Sequence, residues 1–270
     1  MPDNAVSSPG PLLAEQHAGI LTLTLNRPER KNAITPEVWA RLRDRLREVS
    51  ASNEVRAVVL TGAGSTFCSG ADIADTAGMD EFPDPSDLID TINDTIRLLH
   101  ELPVPTVAKV RGAAVGAGWN LSLACDLVVA ASDARFSQIF ARRALSLDTG
   151  GSWLLPRLIG LQQAKRLTLL AEMIGADEAH SLGLVTWVTP PDSLDEFTND
   201  LATRLAAGPP LALAQTKDLL NRGLDRSLPE ALEYESRAQS ANLQGPDVLE
   251  AFAAFAEKRN PDYTRAAATR

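Results

Sequence analysis

The chain has 270 residues, 44% of them hydrophobic and 23% charged, and a net charge of −9 at pH 7. That composition suits a globular protein with a substantial core, and its acidic balance excludes wholesale nucleic-acid binding and requires a locally basic patch for any anionic ligand. Two cysteines, Cys68 and Cys125, lack metal-ligand spacing and do not suggest a disulfide framework, which points to a reducing, cytoplasmic setting.

No basic segment followed by an apolar run opens the sequence, and no run of eighteen apolar residues occurs. Neither a secretory signal nor a membrane span is expected. Residues 1–18, whose first dozen are rich in Pro, Ser and Gly, are expected to be frayed or disordered. Ile20–Leu25 alternates apolar residues with threonine and reads as a strand ended by Asn26-Arg27-Pro28. Thr35-Pro36 opens a helix with a capping hydroxyl, a first-turn proline, and apolar residues at Val38, Leu42, Leu46 and Val49. Val55–Leu60 reads as a buried strand, and a glycine-rich turn follows it at Thr61–Gly64.

Residues Ala74–Asp87 form an acidic stretch with Gly78, Pro83 and Pro85, of the length and composition of a loop that could act as a lid. A helix over Ser86–Glu101 leads to the strand Thr106–Val110, a second glycine-rich turn at Gly112–Gly118, a short helix Asn120–Ala124 and the strand Leu127–Ala130. Beyond Gly150 the pattern is mainly helical: Ser152–Ile159, Gln162–Met173, Ala176–Leu182, Leu194–Ala206, Leu211–Arg222, Leu228–Leu243 and Pro246–Lys258, interrupted by a strand at Leu184–Val188. The alternation of strand and helix predicts an α/β core with right-handed crossovers over residues 19–200 and a helical C-terminal region over 201–270.

Two turns carry candidate chemistry. The segment Phe67-Cys68-Ser69-Gly70-Ala71-Asp72-Ile73 leaves a strand into a turn, where exposed backbone N–H groups can receive a ligand oxygen. Gly112–Gly118 precedes a short helix whose first N–H groups have no intrahelical partner. By themselves both are equally good structural turns. Asp148, before Gly150-Gly151, is as good a helix cap as a general base, and Asn120 is as good a buried amide as a site residue. The strand followed by Gly62-Ala63-Gly64 lacks the third glycine of a dinucleotide fingerprint, which makes nicotinamide binding the weakest reading. His17, His100 and His180 have neither metal nor triad spacing.

The stretch from Gly112 to Gly160, GAAVGAGWNLSLACDLVVAASDARFSQIFARRALSLDTGGSWLLPRLIG, resembles the crotonase (enoyl-CoA hydratase/isomerase) superfamily, and the likeness extends from Ile20 to Tyr263. It implies a spiral of ββα turns whose C-terminal helices assemble trimers, commonly paired into hexamers, with no metal or redox cofactor and with CoA as part of the substrate. It further implies an oxyanion hole from the N–H groups of Ala71 and Ala117, with Ser69, Asp72 and Ile73 lining the CoA adenosine pocket. Arg27 and Lys31 would meet CoA phosphates, and Phe255 and Lys258 would reach the CoA of an adjacent subunit. Asn120 and Phe140 stand where hydratases of this family carry two glutamates that handle water. Neither an amide nor a phenyl ring exchanges a proton near neutral pH, so Phe140 would make the pocket apolar and Asn120 would orient the acyl chain or a water.

Asp148 in LDTGGSWLLPRLIG is similar to the acid/base of the branch containing 1,2-epoxyphenylacetyl-CoA and 3,2-enoyl-CoA isomerases. The expectation is therefore an acyl-CoA isomerase acting on a double bond or on an epoxide-bearing ring. An enoyl-CoA hydratase and a catalytically silent acyl-CoA-binding protein are the alternatives.

Overall fold

The computed structural model describes residues 10–72 and 84–263. Ile73 and most of the acidic stretch, residues 74–83, lie outside the described residues. The expectation of a frayed segment up to residue 18 is corrected. β1 (Leu12–His17) pairs antiparallel with β2 (Ile20–Leu25) in register Leu12↔Leu25 to His17↔Ile20. The two turn residues, Ala18 and Gly19, both take positive φ, 49° and 79°, as tight hairpins require. This edge strand is largely exposed, so its sequence carries no alternation to betray it.

The main sheet runs β1-β2-β3-β4-β6-β9, with β3 (Ala57–Gly62), β4 (Thr106–Val110), β6 (Leu127–Ala131) and β9 (Trp187–Thr189). All pairings from β2 onward are parallel. A smaller sheet joins β5 (Ala113–Val115), β7 (Arg135–Ser137) and β8 (Met173–Gly175). Isolated parallel bridges Ile34↔Ala71 and Cys68↔Ala114 continue that second layer.

The chain repeats one circuit four times: a main-sheet strand, a short second-layer segment, then a helix. The circuits are β2, Ile34 and α1 (Pro36–Ala51); β3, Cys68 and α2 (Ser86–His100); β4, β5 and α3 (Ala117–Leu123); β6, β7 and α4 (Gly151–Leu170). This is the ββα spiral of an α/β protein. Its local causes are those read from the sequence. Thr35 Oγ1 accepts from Val38 N at 3.3 Å with Pro36 at the first helical position, and Val38, Leu42, Leu46 and Val49 are all buried. The broken helix expected near residue 160 appears as a kink in α4 at Gly160, φ 72° and ψ 161°.

Alternate sheet residues face opposite layers. Val58, Leu60, Ala108, Val110, Val128 and Ala130 belong to the main core under α1–α4. Val107, Val129 and Ala131 pack against Leu194 and Leu201 of α6 (Leu194–Ala206). The expected boundary at residue 201 therefore cuts a helix that belongs to the core. After the short α5 (Ala176–Ser181) and α6 come α7 (Pro210–Gly223), α8 (Leu228–Leu243) and α9 (Pro246–Glu257), of which only Ala254 is buried. Lys217 Nζ ties α7 to Asp126 at 2.8 Å, and Asn221 Nδ2 donates to the His100 carbonyl at 3.0 Å. Among the described residues no helix is long and apolar enough to cross a membrane, and no cluster suits a metal ion.

Candidate active site

The second layer opens into a cavity of about 360 Å³. One wall is built by Ser69, Gly70, Ala71 and Asp72 with Arg30 and Ala33. The other holds Gly116 and Ala117 together with Ile139, Phe140, Arg143, Leu145 and Asp148. The walls are stitched by main-chain bonds: Cys68 N donates to Ala113 O at 3.0 Å, and Val115 N to Cys68 O at 2.9 Å. Gly70 carries φ 98°, and a Cβ there would lie 3.0 Å from the Val115 carbonyl and 3.8 Å from Ala117 N. The two turns thus meet at backbone distance. Among the described residues the N–H groups of Ala71 and Ala117 have no intrachain acceptor. Positive φ falls on Gly116 (55°), so Ala117 begins α3 with an unstrained backbone.

Asp148 does not cap α4: the cap position is Gly150, and no side chain bonds there. Its carboxyl instead lines the cavity, half-buried. Burial raises its pKa above the ordinary 3.8, against the lowering effect of Thr149 Oγ1, which donates to Oδ1 at 2.6 Å. Thr149 and Gly150 are successive left-handed residues (φ 54° and 73°) that turn the chain from Asp148 into the helix.

Asn120 is corrected as a pocket residue. It is fully buried and does not line the cavity, because both ends of its amide bond to protein groups. Nδ2 donates to the Asp148 main-chain oxygen at 2.9 Å, and Oδ1 accepts from Gln138 Nε2 at 2.8 Å. The same Asp148 oxygen accepts from Gly151 N at 3.0 Å. A Cβ on Gly151 would come within 2.4 Å of Asn120 Nδ2, so only glycine allows this approach. Asn120 and Gln138 therefore fix the main chain that presents Asp148. Trp119, next to it in α3, lies in the core, 5.3 Å from the Phe136 ring.

Arg27 is corrected too. Its Nη1 donates to Asp72 Oδ2 and to the Ala33 carbonyl, both at 2.7 Å, so it clamps the Asn26–Ala33 turn to the cavity wall rather than facing an anion. Lys31 is exposed beside that wall, and its carbonyl accepts from Ser69 N at 3.0 Å, but it does not line the cavity. Phe255 and Lys258 are exposed on or just after α9 and line no part of the cavity within one chain. Phe140 does line it, 7% exposed. Arg30, Arg143, Thr149 and Gln138 were not singled out in the sequence. Arg30 lies between Arg27 and Lys31, which were, and nothing in the spacing marks the others. Chemically, two free N–H donors can hold a carbonyl oxygen while one half-buried carboxylate, Asp148, exchanges a proton; the other carboxylate lining the cavity among the described residues, Asp72, is held by Arg27.

Residues 15–266 match the family model described as Enoyl-CoA hydratase/isomerase. The chain is 36% identical to the 1,2-epoxyphenylacetyl-CoA isomerase of Escherichia coli over 94% of this chain and 98% of that protein. It is 33% identical to the short-chain-enoyl-CoA hydratase of Clostridium acetobutylicum over 92% and 95%. The crystal structure of an enoyl-CoA hydratase from Bacillus anthracis superimposes with a TM-score of 0.90 at 33% identity, over 94% of this chain and 99% of that one.

Proposed function

Because this chain belongs to the enoyl-CoA hydratase/isomerase family, we propose that it is an acyl-CoA isomerase converting a 3-enoyl-CoA into a 2-enoyl-CoA. The observation that carries this reading is the carboxyl inventory of the cavity among the described residues. Asp148 lines it, Asp72 is paired with Arg27, and the two positions of the hydratase glutamates hold the buried amide of Asn120 and the ring of Phe140. In the proposed mechanism the N–H groups of Ala71 and Ala117 polarise the thioester carbonyl, and an interaction of this kind is worth about 3–4 kcal/mol per donor in the transition state. Asp148 removes a proton from C2, leaving a dienolate, and returns it to C4, so the double bond moves from C3–C4 to C2–C3. One carboxylate suffices for this shuttle, which typically contributes about 10²–10⁴-fold. Hydration also requires a water to be placed and activated, and the ring of Phe140 offers no group that does so.

Ring isomerisation of an epoxyphenylacetyl-CoA is a specific form of the same chemistry, and the Escherichia coli relative bears that name. Neither a metal nor a redox cofactor enters the proposed reaction. The assembly proposed is a homotrimer or homohexamer in the cytoplasm, joined through the exposed apolar residues of α7–α9, such as Leu220, Leu249 and Phe252. There Phe255 and Lys258 would approach a neighbour's CoA. Sedimentation at the mass of a single chain would refute that assembly.

The test of the activity offers 3-hexenoyl-CoA and crotonyl-CoA to the protein and to Asp148→Asn, following the conjugated thioester by ultraviolet absorbance. Isomerisation without hydration, lost in the variant, is expected. Hydration of crotonyl-CoA at a comparable rate would overturn the assignment in favour of a hydratase. Binding of acyl-CoA without turnover, unaffected by the substitution, would identify a silent binding protein.

A further inference from the structure

The cavity holds two arginines that the reaction does not use. Arg30 and Arg143 line it from opposite walls, and among the described residues neither guanidinium has a hydrogen-bond or ion-pair partner. The two acidic groups that line the cavity among the described residues do not neutralise them: Asp72 is paired with Arg27 at 2.7 Å, and the carboxyl of Asp148 receives the hydroxyl of Thr149. Had Arg143 been matched to Asp148, its charge would lower that carboxyl's pKa. Burial instead dominates and raises it.

The two cations differ in position. Arg30 belongs to the wall of Ser69 and Asp72, where the Arg30 carbonyl accepts from Ser69 Oγ at 3.4 Å. Arg143 closes the short turn Ile139–Arg143, whose chain doubles back through left-handed Ala144 (φ 55°) with Leu145 N bonded to Phe140 O at 3.1 Å. It therefore lines the cavity together with Phe140 and Asp148, the residues that face the acyl group in the reading above. In a chain of net charge −9, an exposed fork-shaped cation without a partner among the described residues, on a cavity lining shared with Ile139, Phe140 and Leu145, suits an anion with planar, bidentate geometry.

We infer that Arg143 is a specificity residue for an acyl-CoA whose acyl group carries its own free carboxylate, a dicarboxylic acid thioester. Arg30 is then left to the nucleotide side. This rests on the acyl-CoA reading above. The same guanidinium could meet a CoA phosphate, and the test separates the two sources.

Binding of adipoyl-CoA and hexanoyl-CoA, which share six acyl carbons and lack a reactive double bond, is measured by calorimetry at physiological ionic strength. Wild-type protein is expected to prefer adipoyl-CoA at least about tenfold, the size of one charge-assisted pair. In Arg143→Gln the ratio of the two affinities is expected to collapse towards one. A wild-type ratio near one would overturn the inference. So would an Arg143→Gln protein that weakens both ligands by a common factor, since that is the signature of a phosphate contact. Binding of neither thioester would remove the acyl-CoA reading itself, and this inference with it.

Discussion

Asn120→Ala tests whether the buried amide is part of the acid/base device. The substitution removes two bonds, to the Asp148 carbonyl at 2.9 Å and from Gln138 Nε2 at 2.8 Å, each worth about 1 kcal/mol net. It also strands the Gln138 donor in a site with no solvent access, at a cost of about 1–3 kcal/mol. A destabilisation of about 3–5 kcal/mol follows, equivalent to a fall in Tm of roughly 6–20 °C for a chain of this size. The catalytic effect is separable from that loss. Asp148 O keeps its bond from Gly151 N, so the turn persists but is held from one side. A misplacement of the carboxylate by about 1 Å costs on the order of 100-fold. Because Asn120 does not line the cavity, the loss should appear in kcat, with KM within about threefold of wild type. The assay is isomerisation of 3-hexenoyl-CoA at 25 °C, alongside scanning calorimetry that checks the variant is folded at that temperature. A variant with the lower Tm but a wild-type kcat would refute the reasoning and reduce Asn120 to a packing role.

Three further outcomes follow from the charges of the site. Asp148 has a raised pKa in the folded chain, so the native state binds its proton more tightly than the unfolded state does; its contribution to stability is present in acid and lost as pH rises through the folded value. Asp148→Asn, whose Oδ1 can still accept from Thr149, should therefore have a higher Tm than wild type at pH 7, with the gap closing towards the unperturbed value of 3.8; calorimetry across that range checks it, and a gap that widens in acid contradicts it. Wild-type kcat/KM should fall as acid protonates the same carboxyl. Arg27→Ala leaves Asp72, with 9% side-chain exposure, without its guanidinium, and should cost about 3 kcal/mol in urea unfolding; a loss below about 0.5 kcal/mol would show that the clamp is ornamental.

The fold was legible where local rules and packing agree. Thr35-Pro36 followed by apolar residues at helical spacing can bury only one face, and α1 does so. The run Val58-Val59-Leu60 is apolar on both faces because helices cover both sides of a parallel strand. The features missed lack such a signal. β1 exposes most of its residues. The second layer consists of three-residue strands and single bridges, too short for a period of two to register. The boundary drawn at residue 201 failed for a related reason: the apolar stripe of α6 shows that it packs, but not on which layer.

The site was legible as chemistry and less so as geometry. Asp148 could be read as a cap or as a base, and what separates the two is backbone that the sequence does not print. The left-handed pair Thr149-Gly150 moves the cap to Gly150 and leaves the carboxyl to the cavity. Asn120 was noticed because an amide replaces an expected carboxylate, yet its work depends on Gln138, eighteen residues away, and on a glycine at 151 that lets the amide reach the chain. Arg27 and Arg30 belong to the same turn and are chemically equivalent on paper. Only the placement of Asp72 decides that the first is bound to protein and the second faces the cavity. Residue type thus names what a group can do, while the competition among neighbours for each charge and each N–H decides which groups remain free to do it.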